Sequence, residues 1–257
     1  MATALSIAVT PLAAHEFWIE PVAHTTPRGG DIVAGLRVGQ NYDGETFPYL
    51  SPRFEAFTIT DDGGTRDYRG NQGDEPALTA PADTPGLTVL AYVSKPSRLN
   101  YRKWETFLSY TENEGLTGAV AAHLAAGLPK VGFRETYQRH AKALIQVGPV
   151  RPDDRETAQG LDFELVALGN PFDPAQETLT VQLLHRGRPA PDVQVAIFRK
   201  TAQETAVEKL RTDAGGRAEI TLQQGARHLL NAVVMERATA QGIEWDSDWA
   251  SLTFERP

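Results

Sequence analysis

The sequence has no cysteine, which removes thiolate metal sites and thiol nucleophiles from consideration. It has no apolar run long enough to cross a membrane as a helix. It has no basic run either: 25 Lys and Arg stand against 33 Asp and Glu, for a formal net charge of −8. That balance argues against nucleic acid or an anionic membrane as a main partner. A Gly-x-Ser-x-Gly elbow and a phosphate-cradling glycine motif are both missing, so neither acyl transfer nor nucleotide chemistry is indicated. The expectation from these absences is a protein that is not an enzyme.

What is there is ordinary for a folded chain. Of 257 residues, 41% are hydrophobic and 23% charged, and the length suits two modest domains. The first fourteen residues carry no charge and end in Leu12-Ala13-Ala14, a small-residue sequence like a signal-peptidase site. The positively charged start of a signal peptide is missing. Residues 1–14 are therefore expected to be a signal-peptide remnant, with the exported chain beginning at or near His15.

After His15 the pattern is mainly β. Ile32, Ala34, Leu36 and Val38 share one parity, the mark of a half-buried strand. Phe54–Thr60 reads as another strand, and Asp61-Asp62-Gly63-Gly64 as the turn of its hairpin. Residues 102–142 differ, with three stripes at helical spacing: Trp104, Phe107 and Leu108; Leu116, Val120, Ala121 and Leu124; and Phe133, Tyr137, His140, Ala141 and Leu144, with Lys142–Val147 expected as a strand returning from them. Further on, Leu179, Val181 and Leu183 alternate, as do Val193, Val195 and Ile197, then Leu230, Ala232 and Val234, then Leu252 and Phe254. The expected architecture is two β-sandwich domains, immunoglobulin-like or transthyretin-like. The first spans 15–150 with a helical insert at about 102–142, a linker covers 151–160, and the second spans 161–257.

Two resemblances are carried by specific residues. Gly187-Arg-Pro189, Val193-Gln-Val195 and Thr212-Asp213-Ala-Gly215-Gly216-Arg217-Ala218 resemble transthyretin-like and carboxypeptidase-regulatory-like sandwiches. His15-Glu-Phe17-Trp18-Ile-Glu20-Pro21, Arg139-His-Ala-Lys142-Ala-Leu144-Ile and Asp246-Ser-Asp248-Trp249-Ala-Ser-Leu252-Thr-Phe254-Glu together resemble the NikM-like periplasmic family. That resemblance implies a periplasmic location and an association with uptake of nickel and other transition metals. The family pattern has a histidine in the penultimate strand, where this chain reads Asn231-Ala-Val-Val234-Met235 and has none.

The sharpest candidate for chemistry is His15. Cleavage after Ala14 would give it a free α-amine beside its imidazole Nδ1, a bidentate chelate for a transition ion. One further imidazole would complete a three-nitrogen brace suited to copper, and nickel accepts the same donors. His24 is nearest in sequence, and His185 and His228 lie at strand ends with inward parity. His123 and His140 fall in the helical insert and read as packing residues. Glu244, Asp246 and Asp248, interleaved with Trp245 and Trp249, read as the solvated start of a strand. Phe17, Trp18, Tyr42, Phe47 and Tyr49 read as the lid of a sandwich core.

The function expected from these features is that of a periplasmic accessory protein binding nickel or copper for uptake or handling. Its partners would be the metal ion and a membrane metal transporter or outer-membrane receptor. Two other readings stay open at this point: a copper histidine-brace oxidase acting on polysaccharide, and a metal-free envelope interaction module.

Overall fold

The computed structural model describes residues 16–257. The signal remnant and the His15 chelate both fall outside the described residues. In chain order the strands begin with β1 (Glu16–Pro21), β2 (Thr25–Thr26), β3 (Gly30–Gln40), β4 (Asp43–Phe47), β5 (Phe54–Asp61), β6 (Gly64–Asp67), β7 (Leu78–Ala82), β8 (Gly86–Ser94) and β9 (Ser97–Tyr101). Helices α1 (Trp104–Asn113) and α2 (Ala119–Ala125) lead into the long β10 (Phe133–Val147). Then come β11 (Phe163–Ala167), β12 (Thr178–His185), β13 (Arg188–Pro189), β14 (Gln194–Lys200), β15 (Thr205–Arg211), β16 (Arg217–Thr221), β17 (Ala226–Arg237) and β18 (Trp245–Arg256). The fold is mainly β, as the alternating pattern predicts. Among the described residues no helix is long and apolar enough to cross a membrane.

Local chemistry accounts for several elements. In β3, Ile32, Ala34 and Leu36 are buried while their neighbours are partly exposed, the period-two alternation of a strand with one face on a core. The β5–β6 hairpin closes with Asp61 opposite Gly64. Asp61 Oδ1 accepts the Gly63 N–H at 2.8 Å, an Asx turn. Helix α1 buries Phe107, Tyr110 and Thr111, three or four residues apart.

The sheets are arranged around one long central sheet, ordered β15-β14-β17-β18-β10-β8-β5-β6. A second sheet has β3 at its centre, paired with β1, β4 and β7. A third has β12 at its centre, paired with β11, β13 and β16. These two smaller sheets lie on opposite faces of the central one. Ala141, Ala143, Ile145, Leu90 and Tyr92 pack with the β3 sheet. Leu144, Leu87 and Val89 from the same strands pack with the β12 sheet. The two sandwich cores thus share one continuous sheet, and β10 is covered on both sides.

That double burial explains where the helical reading of 102–142 departs from the structure. Phe133, Tyr137, His140, Ala141 and Leu144 belong to strand β10, whose residues His140–Val147 are all buried. A strand buried on both faces loses its alternation, and its apolar positions then fall at helical spacing as readily as at strand spacing. Helix α2 differs too. It buries Ala119 and His123, while Leu124 is 48% exposed. The His123 ring sets that face: its Nδ1 accepts from Trp245 Nε1 at 3.0 Å and its Nε2 meets the Pro129 carbonyl at 3.0 Å.

Residues 151–160, expected as a linker, have no regular secondary structure but lie against the sheets, with Asp154 and Glu156 buried. Lys142 of β10 is 1% exposed and donates to both Glu156 and Glu164, the latter at 2.7 Å. Glu164 also accepts the N–H groups of Gln159 (2.6 Å), Gly160 (3.1 Å) and Leu161 (3.3 Å), and Glu156 accepts that of Ala167 (2.6 Å). Removing the ammonium leaves two carboxylates buried without their cation. A Lys142→Met variant should therefore lose about 3–5 kcal/mol of stability in urea denaturation at neutral pH. Adding Glu156→Gln and Glu164→Gln should recover part of that loss. A Lys142→Met protein as stable as wild type would refute the assignment.

Candidate functional site

The histidines do not converge. His24 is buried, not a solvated loop residue. Its carbonyl accepts the Gln146 N–H at 2.9 Å, and its Nδ1 donates to the Leu144 carbonyl at 2.8 Å. Its Nε2 is buried without a partner, and burial lowers its pKa to about 4. His228 is fully buried and stacked on Phe254 at 4.9 Å. Its Nε2 accepts the Gln223 N–H at 3.2 Å and its Nδ1 donates to the Ala226 carbonyl at 3.1 Å. Both nitrogens are thereby used, and burial lowers its pKa to about 4 as well. His140 meets the Trp249 carbonyl at 3.3 Å through Nδ1.

His185 is the histidine that reaches a rim, as its strand-end position suggested. Its Nε2 lies 3.4 Å from Asp248 Oδ2 and its Nδ1 lies 4.0 Å from Glu236 Oε1. Among the described residues no group of three or more His, Asp or Glu side chains could hold a metal ion. Of the candidate partners, His24 and His228 lie within electrostatic reach of each other, both buried with lowered pKa, while His185 lies beside Asp248 and Glu236.

The other two clusters match their plain readings. Trp245 and Trp249 are buried beneath the helices with Phe107 and Tyr110, while Asp246 and Asp248 alternate with them and are partly exposed. Phe17, Trp18, Tyr42 and Tyr49 are buried, and Phe47 is partly buried against the same core as Phe17 and Tyr49. They form no exposed aromatic platform.

The strongest polar concentration is a recess of about 580 Å³ where β1, the β3–β4 turn, α1 and β17 meet. Glu16, the first described residue of β1, lines it together with Asn41, Glu114 and Asn231. Oε2 of Glu16 is buried and has no hydrogen-bond partner. Burial raises the Glu16 pKa, while the backbone N–H groups of Glu16 and Asn41 and the charge of Lys209 pull it down. Glu114, just past the end of α1, is pushed up to about 7, first by burial and then by the charge of Glu16. Asn231 donates to Glu114 Oε2 at 3.4 Å. A buried carboxylate, Glu16, and a partly buried one, Glu114, thus sit within electrostatic reach of one another, and the cation that acts on both is the exposed Lys209 at the rim.

The turn that frames this recess is strained. Asn41 and Tyr42 have φ of 54° and 59°, the left-handed region. The geometry matches a two-residue hairpin turn, which favours glycine at its second position. Tyr42 occupies that position because its ring is anchored. It packs edge-on against Trp18 at 5.5 Å, and Lys200 donates to its carbonyl at 2.9 Å. Gly39 and Gly44 face each other behind the turn, where a Cβ on Gly39 would lie 1.9 Å from the Asp43 carbonyl oxygen. Strain of this kind is held only where surrounding packing enforces it, and such positions cluster at functional sites.

Sequence reading reached part of this recess. Glu16 lies inside a segment singled out for its resemblance, and Asn231 was noted as a departure from a pattern. Glu114 had no signal, because nothing in Glu112-Asn-Glu114-Gly115 distinguishes a partly buried acid from a solvated helix end.

Comparison with known proteins adds a family. A family model described as "Domain of unknown function (DUF4198)" matches residues 12–236. No curated protein matches the chain. A solved structure, "Escherichia coli alpha-2-macroglobulin activated by porcine elastase", aligns over 95% of this chain at 11% identity with a TM-score of 0.24. The chain spans 20% of that protein's length, and a likeness at that level says nothing about activity.

The two buried neutral histidines imply a defined acid response. A histidine whose pKa falls on folding binds fewer protons folded than unfolded. The stability it supports is intact above its ordinary value of 6.5 and is lost as pH falls toward about 4. Each should account for on the order of 3 kcal/mol over that window. The carboxylates Glu114 and Glu135, both raised to about 7, change in the opposite sense as pH falls. Variants separate the two effects: His24→Gln and His228→Gln proteins should each lose less stability than wild type between pH 7 and 4. Urea midpoints measured across that range test this, and identical acid slopes would refute it.

Proposed function

Since the chain belongs to the DUF4198 family, a family defined without an activity, we propose from its own residues that it is a periplasmic accessory protein binding a transition metal ion, nickel or copper, for uptake or handling. The observation that carries this reading is the Glu16–Glu114 pair, with Oε2 of Glu16 buried and unpartnered. A buried acid and a partly buried one that feel each other's charge destabilise the folded chain unless protons or a cation offset that charge.

The donor set fits a metal in part. Carboxylate and amide oxygens alone suit hard cations, whereas nickel and copper favour nitrogen. In this reading the nitrogen comes from His15, through its α-amine and imidazole. His15 lies outside the described residues, yet it is bonded to Glu16, which lines the recess. Asn231, in the strand where the NikM-like pattern has a histidine, lines the same recess. The amide here leaves Glu16 and Glu114 as the charged ligands. Handing the ion to a membrane metal transporter or outer-membrane receptor would require no chemistry from the protein itself.

The oxidase reading requires a flat exposed aromatic face for a polysaccharide, and Phe17, Trp18, Tyr42 and Tyr49 are in the core instead. The carrier reading is therefore preferred. It is tested by titrating protein that begins at His15 with Ni(II) and Cu(II), following heat and melting temperature. Metal at about 100 times its Kd should add ~2.7 kcal/mol of stability. His15→Ala and Glu114→Gln should each weaken binding at least tenfold by this reading. Without metal, Glu114→Gln should stabilise the protein above pH 7, because it removes a partly buried carboxylate that must otherwise ionise. A melting temperature unmoved by either metal would leave the metal-free interaction module as the correct reading.

A further inference from the structure

A second cavity adjoins the carboxylate recess across the end of α1, where Gly115 of its lining follows Glu114, and has the opposite charge. It is a cleft of about 950 Å³ between the α1–α2 connection, the β12–β14 turns and the far end of β17. Four guanidinium groups line it: Arg186, Arg188, Arg211 and Arg237. Two carboxylates of the cleft answer two of them. Arg186 pairs with Glu236 at 2.9 Å, and Arg211 pairs with Asp192 at 2.5 Å. Among the described residues neither Arg188 nor Arg237 has a carboxylate partner. Arg188 is exposed at the start of β13, and Arg237 lies over the Trp245 ring at 5.1 Å. In a chain of net charge −8, this is a local excess of positive charge against the overall balance.

The floor of the cleft is apolar, formed by Leu116, Ala119, Pro189, Val233 and Met235. Its frame is strained in the same way as the first recess. Arg186 and Asp192 have φ of 51° and 55°. With Asn41 and Tyr42 they are the four non-glycine residues with positive φ among the described residues. All four lie in or beside one of the two cavities. The Arg186-Gly187 turn holds the Arg188 end of β13 against His185 in register, so the guanidinium rim is built on a fixed hairpin.

We propose that this cleft is a binding site for a small organic oxyanion, a carboxylate or phosphate head on an apolar body. Arg188 and Arg237 take the head group, and the Leu116–Pro189–Met235 floor takes the body. Guanidinium is suited to both head groups because its planar fork donates two parallel hydrogen bonds to adjacent oxygens. The volume suits a ligand of drug-like size or smaller. The paired Arg186 and Arg211 hold the walls, since their charge is already matched, and they are not assigned to the ligand.

Calorimetric titration of the whole protein tests this with four probes below their micelle concentrations: octanoate, octyl phosphate, octanamide and inorganic phosphate. Octanoate, octyl phosphate or both should bind, and the stronger of the two identifies the head group. Octanamide has the body without the charge, and inorganic phosphate has the charge without the body; each should bind at least tenfold more weakly. Arg188→Ala and Arg237→Ala should each cost roughly tenfold in affinity, the scale of one charged hydrogen bond, with Arg188→Lys recovering part of it. The melting temperature of Arg188→Ala should stay at the wild-type value, because that side chain has no ion-pair partner to lose, whereas Arg237→Ala also gives up its place over the Trp245 ring and should lower it slightly. Octanamide binding as tightly as octanoate would overturn the proposal. So would undiminished affinity in the Arg188→Ala/Arg237→Ala double variant, or the absence of binding by both octyl anions.

Discussion

One ammonium group, that of Lys142, holds the middle of this molecule together. It sits in the strand that both sandwich cores share, and it is matched by Glu156 from the irregular segment and Glu164 from the neighbouring sheet. Burying one cation with two carboxylates is unfavourable unless every remaining oxygen finds a donor. Here the backbone N–H groups of Gln159, Gly160, Leu161 and Ala167 supply them. The cluster fixes where the segment after β10 must run, and hence where β11 begins. What looks from its composition like a spacer is held in place by charge. The relation between the two halves is correspondingly set by a shared sheet and not by a flexible join.

The readable parts of the sequence were those with one wet face. β3 and β12 alternate because one side packs and the other does not, and the Asp61–Gly64 turn has the residues its geometry requires. The strand at the centre was only half readable, its end at Lys142–Val147 as a strand and its start as a helix, for the same reason that it matters. With the β3 sheet on one side and the β12 sheet on the other, every position from His140 to Val147 is apolar or internally paired. No local pattern could place β18 in parallel beside β10, since that pairing joins distant stretches of chain. The candidate site divided similarly. The histidines were visible as residue types, but their hydrogen bonds, which decide whether a nitrogen is free, depend on Leu144, Gln223 and Ala226. Glu114 became notable only once folding placed Glu16 beside it.

The two cavities express a common principle with opposite sign. Each is framed by a hairpin turn or loop whose non-glycine residues are held in the left-handed region by packing or pairing around them. Each concentrates charge that the surrounding residues do not fully neutralise. In one the surplus is carboxylate, and in the other guanidinium. Charge left unbalanced on a rigid frame is what distinguishes both from the neutral histidines, whose nitrogens largely serve the fold.

The place of β18 has a consequence for how the chain can be made. Residues Trp245–Arg256 fill a central slot, between β17 on one side and β10 on the other. As the chain emerges from the ribosome, both neighbours present open edges until this segment arrives. Stable closure must therefore await synthesis of residues near 256. Until then the β10 edge from Glu135 to Ala143 is a surface on which other extended chains can pair, and it closes only when β18 docks in parallel beside it.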